Sequence, residues 1–294
     1  MSRYINPYTD FGFKKLFGEE ANKDLLIDFL NQLLPPHHQI HSLHFKNTEK
    51  LPLYPEDRKA FFDIYCTSPS GERFIVEMQK ARMDYFKDRA LYYVTFPLQE
   101  QAKKGLWNFE LSTVYFIAIL DFITNDSEDC LKFRQDISLK DQEGEIFYDK
   151  LHFCFLQMPL FNKSITELSN RFEKWIYFLK NLADFEEIPR ILNEPVFQKA
   201  FEIAEVANLK PRQAQQYQKS LLDYWSNKAV VDTAHAEGFA EGLMQGKEEG
   251  IAEGIAEGEL RAKLAIATQL KAQGLSLEII KQVTGLSQKE IEEK

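Results

Sequence analysis

Two short runs of β-branched and aromatic residues, set either side of a turn, constrain this chain more than any other feature. Residues 61–66 read FFDIYC and residues 73–80 read RFIVEMQK, with Ser68-Pro69-Ser70-Gly71 between them. Pro, Ser and Gly at those positions are turn chemistry, so the runs read as a β-hairpin. Alternation places Phe61, Asp63 and Tyr65 on one face and Phe62, Ile64 and Cys66 on the other. On the second strand Ile75, Glu77 and Gln79 share a face, opposite Phe74, Val76 and Met78. A turn centred on Pro69–Ser70 makes paired residue numbers sum to 139 or 140, and a sum of 140 sets Asp63 across from Glu77. Their Cβ atoms would then stand roughly 5 Å apart. Facing carboxylates repel, and apolar neighbours strengthen the repulsion. A divalent cation between them is the natural compensation. Mg²⁺ suits one or two carboxylates and leaves positions open for water and phosphate oxygens. Gln79, two residues on, can orient a water there, and the Met78 carbonyl can supply a further ligand. The competing reading is a half-exposed hairpin with ordinary polar residues on its wet side.

The remaining pattern surrounds this hairpin with helices and more strands. FGFKKLF after Asp10 places Phe13, Leu16 and Phe17 at helical spacing, and a second helix is expected over 22–34, stopped by Pro35-Pro36. Residues 84–104 read as a helix with a kink at Pro97 that closes at Gly105. Residues 112–122 (STVYFIAILDF) are nearly all apolar, as in a strand buried on both faces. Strands are expected near 132–139 and 151–158, joined by a turn at 141–144, and then helices over about 164–183, 195–208 and 211–235. Strands first and helices after indicate an α/β core with a helical C-terminal portion. The expected divisions are 1–160, 161–235, 236–273 and 274–294.

Segment 236–273 stands apart. Gly238, Gly242, Gly246, Gly250, Gly254 and Gly258 recur every four residues. Each Gly in a helix interior costs about 0.5–1 kcal/mol relative to Ala, so such a helix needs close packing, and a stripe of Gly lets two backbones approach. Self-association into a homo-oligomer is one reading; a frayed low-complexity segment is the other. Residues 274–294 read as two short helices around Thr284-Gly285-Leu286-Ser287. Only three Lys (281, 289 and 294) lie there among several Glu, which suits a protein contact better than DNA reading.

Charge and cysteine content bound the function classes. The net charge of −9 argues against a coat of nonspecific nucleic-acid contacts. The charge is uneven, however. The first 105 residues carry 15 Lys and Arg against 14 Asp and Glu, so the acidity lies behind them. Three scattered Cys (66, 130 and 154) with no CxxC pair argue against a disulfide framework or structural zinc. His37, His38, His41 and His44 cluster without Cys partners and read as loop. The longest apolar run, 114–120, is far short of the roughly 20 residues of a membrane span. The first residues carry no apolar leader. A cytoplasmic protein without membrane contact is expected.

The ordered set of motifs resembles a known family. Asp63, a Gly-containing turn and Glu77-Met78-Gln79 resemble the D…E-x-Q form of the PD-(D/E)XK nuclease superfamily. The set is most similar to the recombination-promoting nuclease (Rpn) and transposase family. Asp10-Phe-Gly-Phe-Lys14-Lys-Leu-Phe17, Leu26-Ile-Asp-Phe-Leu-Asn31, Arg89-Ala-Leu-Tyr-Tyr93 and Gln101-Ala-Lys-Lys-Gly105 agree with it. The resemblance is strongest over residues 3–125 and extends more loosely to about 260. It implies an α/β fold, a restriction-endonuclease-like mixed sheet flanked by helices and followed by a helical C-terminal region. It further implies metal-dependent cleavage of DNA phosphodiesters, in recombination or in defence against mobile DNA. Asp63 and Glu77 match the metal carboxylates. Gln79 stands where the wider superfamily has Lys. An amide can neither shed a proton nor stabilise charge, so the nucleophile must be generated at the metal, with Gln79 placing water. Lys80 follows, and alternation points it to the opposite face.

Other residues are assigned with their plainer alternatives beside them. Arg89 and Tyr93 share a helix face, and Arg89 can hold a phosphate bidentately at the rim; the alternative is a surface Arg lying over a core Tyr. Lys14, Lys15, Arg58 and Lys59 can contact the DNA backbone or form a solvated charge face. Asp10 caps its helix or, less readily, ligates metal. The resulting expectation is a Mg²⁺-dependent endonuclease acting on double-stranded DNA. A degenerate nuclease serving as an oligomerising interaction protein, and an RNA-cleaving nuclease, are the alternatives.

Overall fold

The computed structural model describes residues 2–50, 60–102, 108–124 and 132–292, with the side chain of His37 outside that description. Its elements run α1 (Asp10–Phe17), α2 (Lys23–Asn31), β1 (His44–Phe45), β2 (Glu49–Lys50), β3 (Ala60–Phe61), β4 (Ile64–Thr67), β5 (Arg73–Gln79), α3 (Phe86–Gln99) and β6 (Val114–Leu120). They continue through β7 (Arg134–Lys140), β8 (Ile146–Gln157), α4 (Arg171–Asn181), α5 (Pro195–Ala204), α6 (Pro211–Ala272), α7 (Leu277–Thr284) and α8 (Gln288–Glu292). The chain divides into two compact units, Met1–Ala229 and Val230–Lys294.

The first unit is built on a mixed six-stranded sheet in the order β1-β4-β5-β6-β8-β7. β5, β6 and β8 are parallel; β1, β4 and β7 are antiparallel to their neighbours. Parallel neighbours need a crossover, and α3 supplies it between β5 and β6. Every residue of β6 is buried, because helices cover both faces of the sheet. On one face Ile64, Val76, Ile117 and Leu156 pack with Phe13, Phe29, Trp175 and Phe197 of α1, α2, α4 and α5. On the other, Tyr65, Ile75, Phe116 and Phe155 pack with Phe86, Ala90, Tyr93 and Val94 of α3. Pro97 sits inside α3, four residues from the buried Tyr93.

One face assignment needs correcting. Phe62 packs with Tyr65 and Ile75 and not with Ile64. β3 pairs with β2 in a separate two-stranded sheet, and the chain bends at residues 62–63 before β4 begins. Period-two alternation holds only within a continuous strand, so it fails across that bend.

The helix expected over 211–235 and the helical reading of 236–273 form one element, α6. It runs unbroken for 62 residues, through the whole Gly repeat. Its first turns complete the first unit's core through Tyr217 and Tyr224. In the second unit, Ala267 packs with Ile280, Leu286 and Ile291 of α7 and α8. Gly285, in the left-handed region at φ 70°, ends α7 between the two short helices.

Candidate active site

The β4–β5 hairpin pairs Ile64 with Val76, Tyr65 with Ile75, Cys66 with Phe74 and Thr67 with Arg73. That register continues to Asp63 opposite Glu77. Asp63 itself lies just outside the ladder, at the bend, and side chains replace the missing strand bonds. The Asp63 N–H donates to Glu77 Oε1 at 3.1 Å, and the Met78 N–H donates to Asp63 Oδ2 at 2.8 Å. Each carboxylate thus accepts from the other strand, and the two are locked side by side. Gln79 Nε2 donates to Glu77 Oε2 at 3.1 Å. The amide is therefore in contact with the carboxylate pair, on the face that alternation assigns it.

Burial and proximity hold both acids in an unusual state. Glu77 is 1% exposed. Burial, and then the neighbouring Asp63 charge, push its pKa up to about 8, against the hydrogen bond from Asp63, the Arg89 charge and the Gln79 hydrogen bond. Asp63 is also raised, chiefly by burial, with the Met78 N–H and the charges of Lys14 and Lys80 opposing it and Asp10 adding to it. Burial is thus the first reason both acids resist ionisation.

The cationic surroundings come from three elements. Arg89 of α3 brings Nη2 to 3.8 Å from Glu77 Oε2. Its guanidinium lies 4.7 Å over the Tyr93 ring. Tyr93 is only 7% exposed, with its ring 5.1 Å from Phe62 and 6.4 Å from Phe116. Arg89 over a core Tyr is thus the observed packing, and Tyr93 supports the guanidinium from below. Lys14 of α1 pairs with Asp10 at 2.7 Å. Both line a cavity of about 650 Å³ with Asp63, Lys15, Lys219 and Asp223. Lys59, with Arg58, lies outside the described residues.

Several placements differ from expectation or were missed. Thr9, not Asp10, caps α1, its Oγ1 accepting the Gly12 N–H at 3.0 Å. Asp10 sits in the first turn, facing the cavity. Lys80 follows the last residue of β5, and its charge is the weakest of the named influences on Asp63. β5 ends at Gln79, so alternation no longer governs the next residue. Lys219 of α6 reaches the cavity from more than 150 residues away in sequence. No local signal marks it; only the docking of α6 on α1, where the Phe11 N–H donates to Ser220 Oγ at 3.1 Å, brings it there. Among the described residues no cluster of three or more His, Cys, Asp or Glu is poised for a metal. His38 Nδ1 instead lies 2.8 Å from the Tyr115 hydroxyl.

The donor set fits a hard divalent cation. Two carboxylates stand side by side and an amide is in contact with one of them; burial first, and then Asp63, disfavour the charge of Glu77, and a cation there would offset both. Among the described residues no helix is long and apolar enough to cross a membrane. No curated protein and no solved structure matches the chain. A family model described as PD-(D/E)XK nuclease family transposase matches residues 7–234, which takes in the whole sheet, Asp63, Glu77, Gln79 and the start of α6. With that span matched and the mixed sheet carrying the carboxylate pair, the chain belongs to the PD-(D/E)XK nuclease family transposases.

Proposed function

We propose that this protein is a metal-dependent endonuclease that hydrolyses phosphodiester bonds of double-stranded DNA in the cytoplasm, in recombination or in defence against mobile DNA. The observation that carries the reading is the interlocked pair of half-buried Asp63 and buried Glu77, with Gln79 in contact with Glu77. Asp63 and Glu77 would hold Mg²⁺ or another divalent cation. Such an ion, when bound, polarises a phosphoryl oxygen and makes water a better nucleophile at neutral pH.

The chain's own groups do the rest. Gln79 is engaged with Glu77 through Nε2, so its carbonyl oxygen is the atom suited to accept from water. Arg89, held by Tyr93, offers a planar fork to a phosphate. Lys14, Lys15 and Lys219 line the cavity beside Asp63 and offset the backbone's charge, a role Lys59 shares in this reading. Overall acidity does not oppose this, because the first 105 residues carry 15 Lys and Arg against 14 Asp and Glu.

The test is plasmid cleavage by purified protein. Nicking or linearisation with Mg²⁺, lost with chelator and lost in Asp63→Ala and Glu77→Ala, supports the reading. Activity that survives chelation or either substitution overturns the mechanism. Parallel DNA and RNA substrates decide between DNA and RNA cleavage.

A homo-oligomer through the C-terminal repeat belongs to the same proposal. No atom within 4 Å would meet a Cβ at any of Gly238 to Gly258, and Phe239, Leu243, Ile251 and Ile255 beside them are exposed. Protein that never cleaves, but whose mass in solution falls when residues 236–294 are removed, would favour the oligomerising interaction protein.

A further inference from the structure

The loop between β5 and α3 contains a feature that the catalytic groups do not explain. Tyr85 holds its backbone in the left-handed region, at φ 62° and ψ 27°. A bulky non-glycine residue is strained there, and such strain concentrates at functional sites. The ring is not buried in return: Tyr85 is 81% exposed. Its carbonyl accepts the Arg89 N–H at 3.0 Å and so opens α3. The strained backbone thus joins the loop to the helix while the ring projects outward.

Tyr85 lines a cavity of about 420 Å³ together with Arg82, Lys87, Asp84, Asp88 and Phe122. Phe86, also in its wall, meets Phe122 edge to face with ring centroids 6.0 Å apart. Aromatic faces, two carboxylates and two cations suit a nucleobase with its flanking phosphates. Bases stack on aromatic rings, carboxylates accept from exocyclic amino groups, and Lys and Arg meet phosphate oxygens. The cavity adjoins the catalytic pair. Arg89 Nη1 contacts Sδ of Met83, another wall residue, at 3.5 Å, while Nη2 is 3.8 Å from Glu77 Oε2. One guanidinium therefore links the cavity wall to the catalytic carboxylate.

A base still stacked in a duplex has no free face to lay on Tyr85; it must be unpaired or extruded. We infer that the cavity beside Tyr85 takes one unpaired or extruded nucleobase of the substrate strand, stacked on Tyr85, and that Tyr85 is a positioning residue which delivers the adjacent phosphate to Asp63 and Glu77. This rests on the nuclease reading above.

The experiment uses full-length protein carrying Glu77→Gln, so that substrate binds without turnover, and DNA oligonucleotides with 2-aminopurine placed at successive positions around an unpaired site. Quenching at one position on binding is expected. Tyr85→Ala should abolish that quenching and weaken binding about tenfold, whereas Tyr85→Phe keeps both. Tyr85→Gly relieves the backbone, so it should lose the quenching without lowering Tm. Unchanged quenching and affinity in Tyr85→Ala overturn the inference and leave the nuclease reading standing. A fall in Tm in Tyr85→Gly also overturns it, by showing a structural role. If the protein with Tyr85 intact neither binds nor cuts any nucleic acid, the nuclease reading and this inference fail together.

Discussion

Glu77 meets Asp63, Gln79 and Arg89 at the candidate site. Its folded-state pKa lies near 8, above the ordinary 4.5, because burial and Asp63 disfavour its charge. The folded protein therefore holds that proton more tightly than the unfolded chain does. The stability this contributes is full below pH 4.5 and is lost as pH rises through about 8. A neutral Gln keeps it at every pH, and Gln79 can turn its amide over to face the new one. With chelator present, Glu77→Gln should match the parent protein in Tm near pH 4 and exceed it at pH 8, in thermal unfolding followed across pH. With excess Mg²⁺ the order should reverse, because only the parent protein gains ligand stabilisation. Arg89 acts at the same carboxylate. Arg89→Ala should lower kcat/KM by about a hundredfold. Arg89→Lys should recover only part of it, since an ammonium cannot reproduce the planar fork lying over Tyr93. Steady-state cleavage of a defined oligonucleotide checks both.

At the scale of elements, α1 and α6 show how packing sets a helix's role. α1 approaches the preceding chain so closely that a Cβ at Gly12 would lie 2.1 Å from the Asn6 carbonyl oxygen. Gly12→Ala should therefore cost about 1–3 kcal/mol, read as a lower urea midpoint, and displace Lys14 from the site. The glycines of α6 are the opposite case. Nothing within 4 Å excludes a methyl group at Gly238 through Gly258. Within one chain, replacing all six by Ala should raise helix stability by several tenths of a kcal/mol or more per site. If the stripe is a close contact between copies, the same change should lower the mass measured by light scattering, because six methyl groups would separate the backbones. Unchanged mass with higher Tm would show a helix that makes no such contact.

At the scale of the whole molecule, a cation should couple the site to global stability. Mg²⁺ that binds only the folded protein raises stability with the logarithm of its concentration, by about 2.7 kcal/mol at a hundred times Kd. A Tm that climbs with Mg²⁺ in the parent protein, but not in Asp63→Ala, is the expected result in differential scanning fluorimetry. The net charge of −9 takes its meaning at this scale too. Residues 1–105 are near neutral, residues 106–230 hold 14 Lys and Arg against 19 Asp and Glu, and residues 231–294 hold 7 against 12, while the cavity beside Asp63 sets Lys14, Lys15 and Lys219 among Asp10, Glu19 and Asp223.

Much of this was written locally in the chain. The β4–β5 hairpin, its register and the carboxylates Asp63 and Glu77 follow from strand alternation and turn length, and both act between near neighbours. The same holds for α1, α2, β6 and the two terminal helices, whose apolar spacing and stop residues are read within a dozen positions. Local rules failed where the chain leaves a regular element, as for Phe62 at the bend before β4. They showed Arg89 over Tyr93, an i,i+4 contact within α3, but could not reach Lys219 or Arg89's approach to Glu77. Those juxtapositions arise when helices distant in sequence bury their apolar faces on one sheet. Burial depends on area removed from water and not on order along the chain. The sequence by itself determined where the two carboxylates stand and how the hairpin aligns them. Only the tertiary structure decided which cations answer them, because packing alone sets which distant charges share a low-dielectric site.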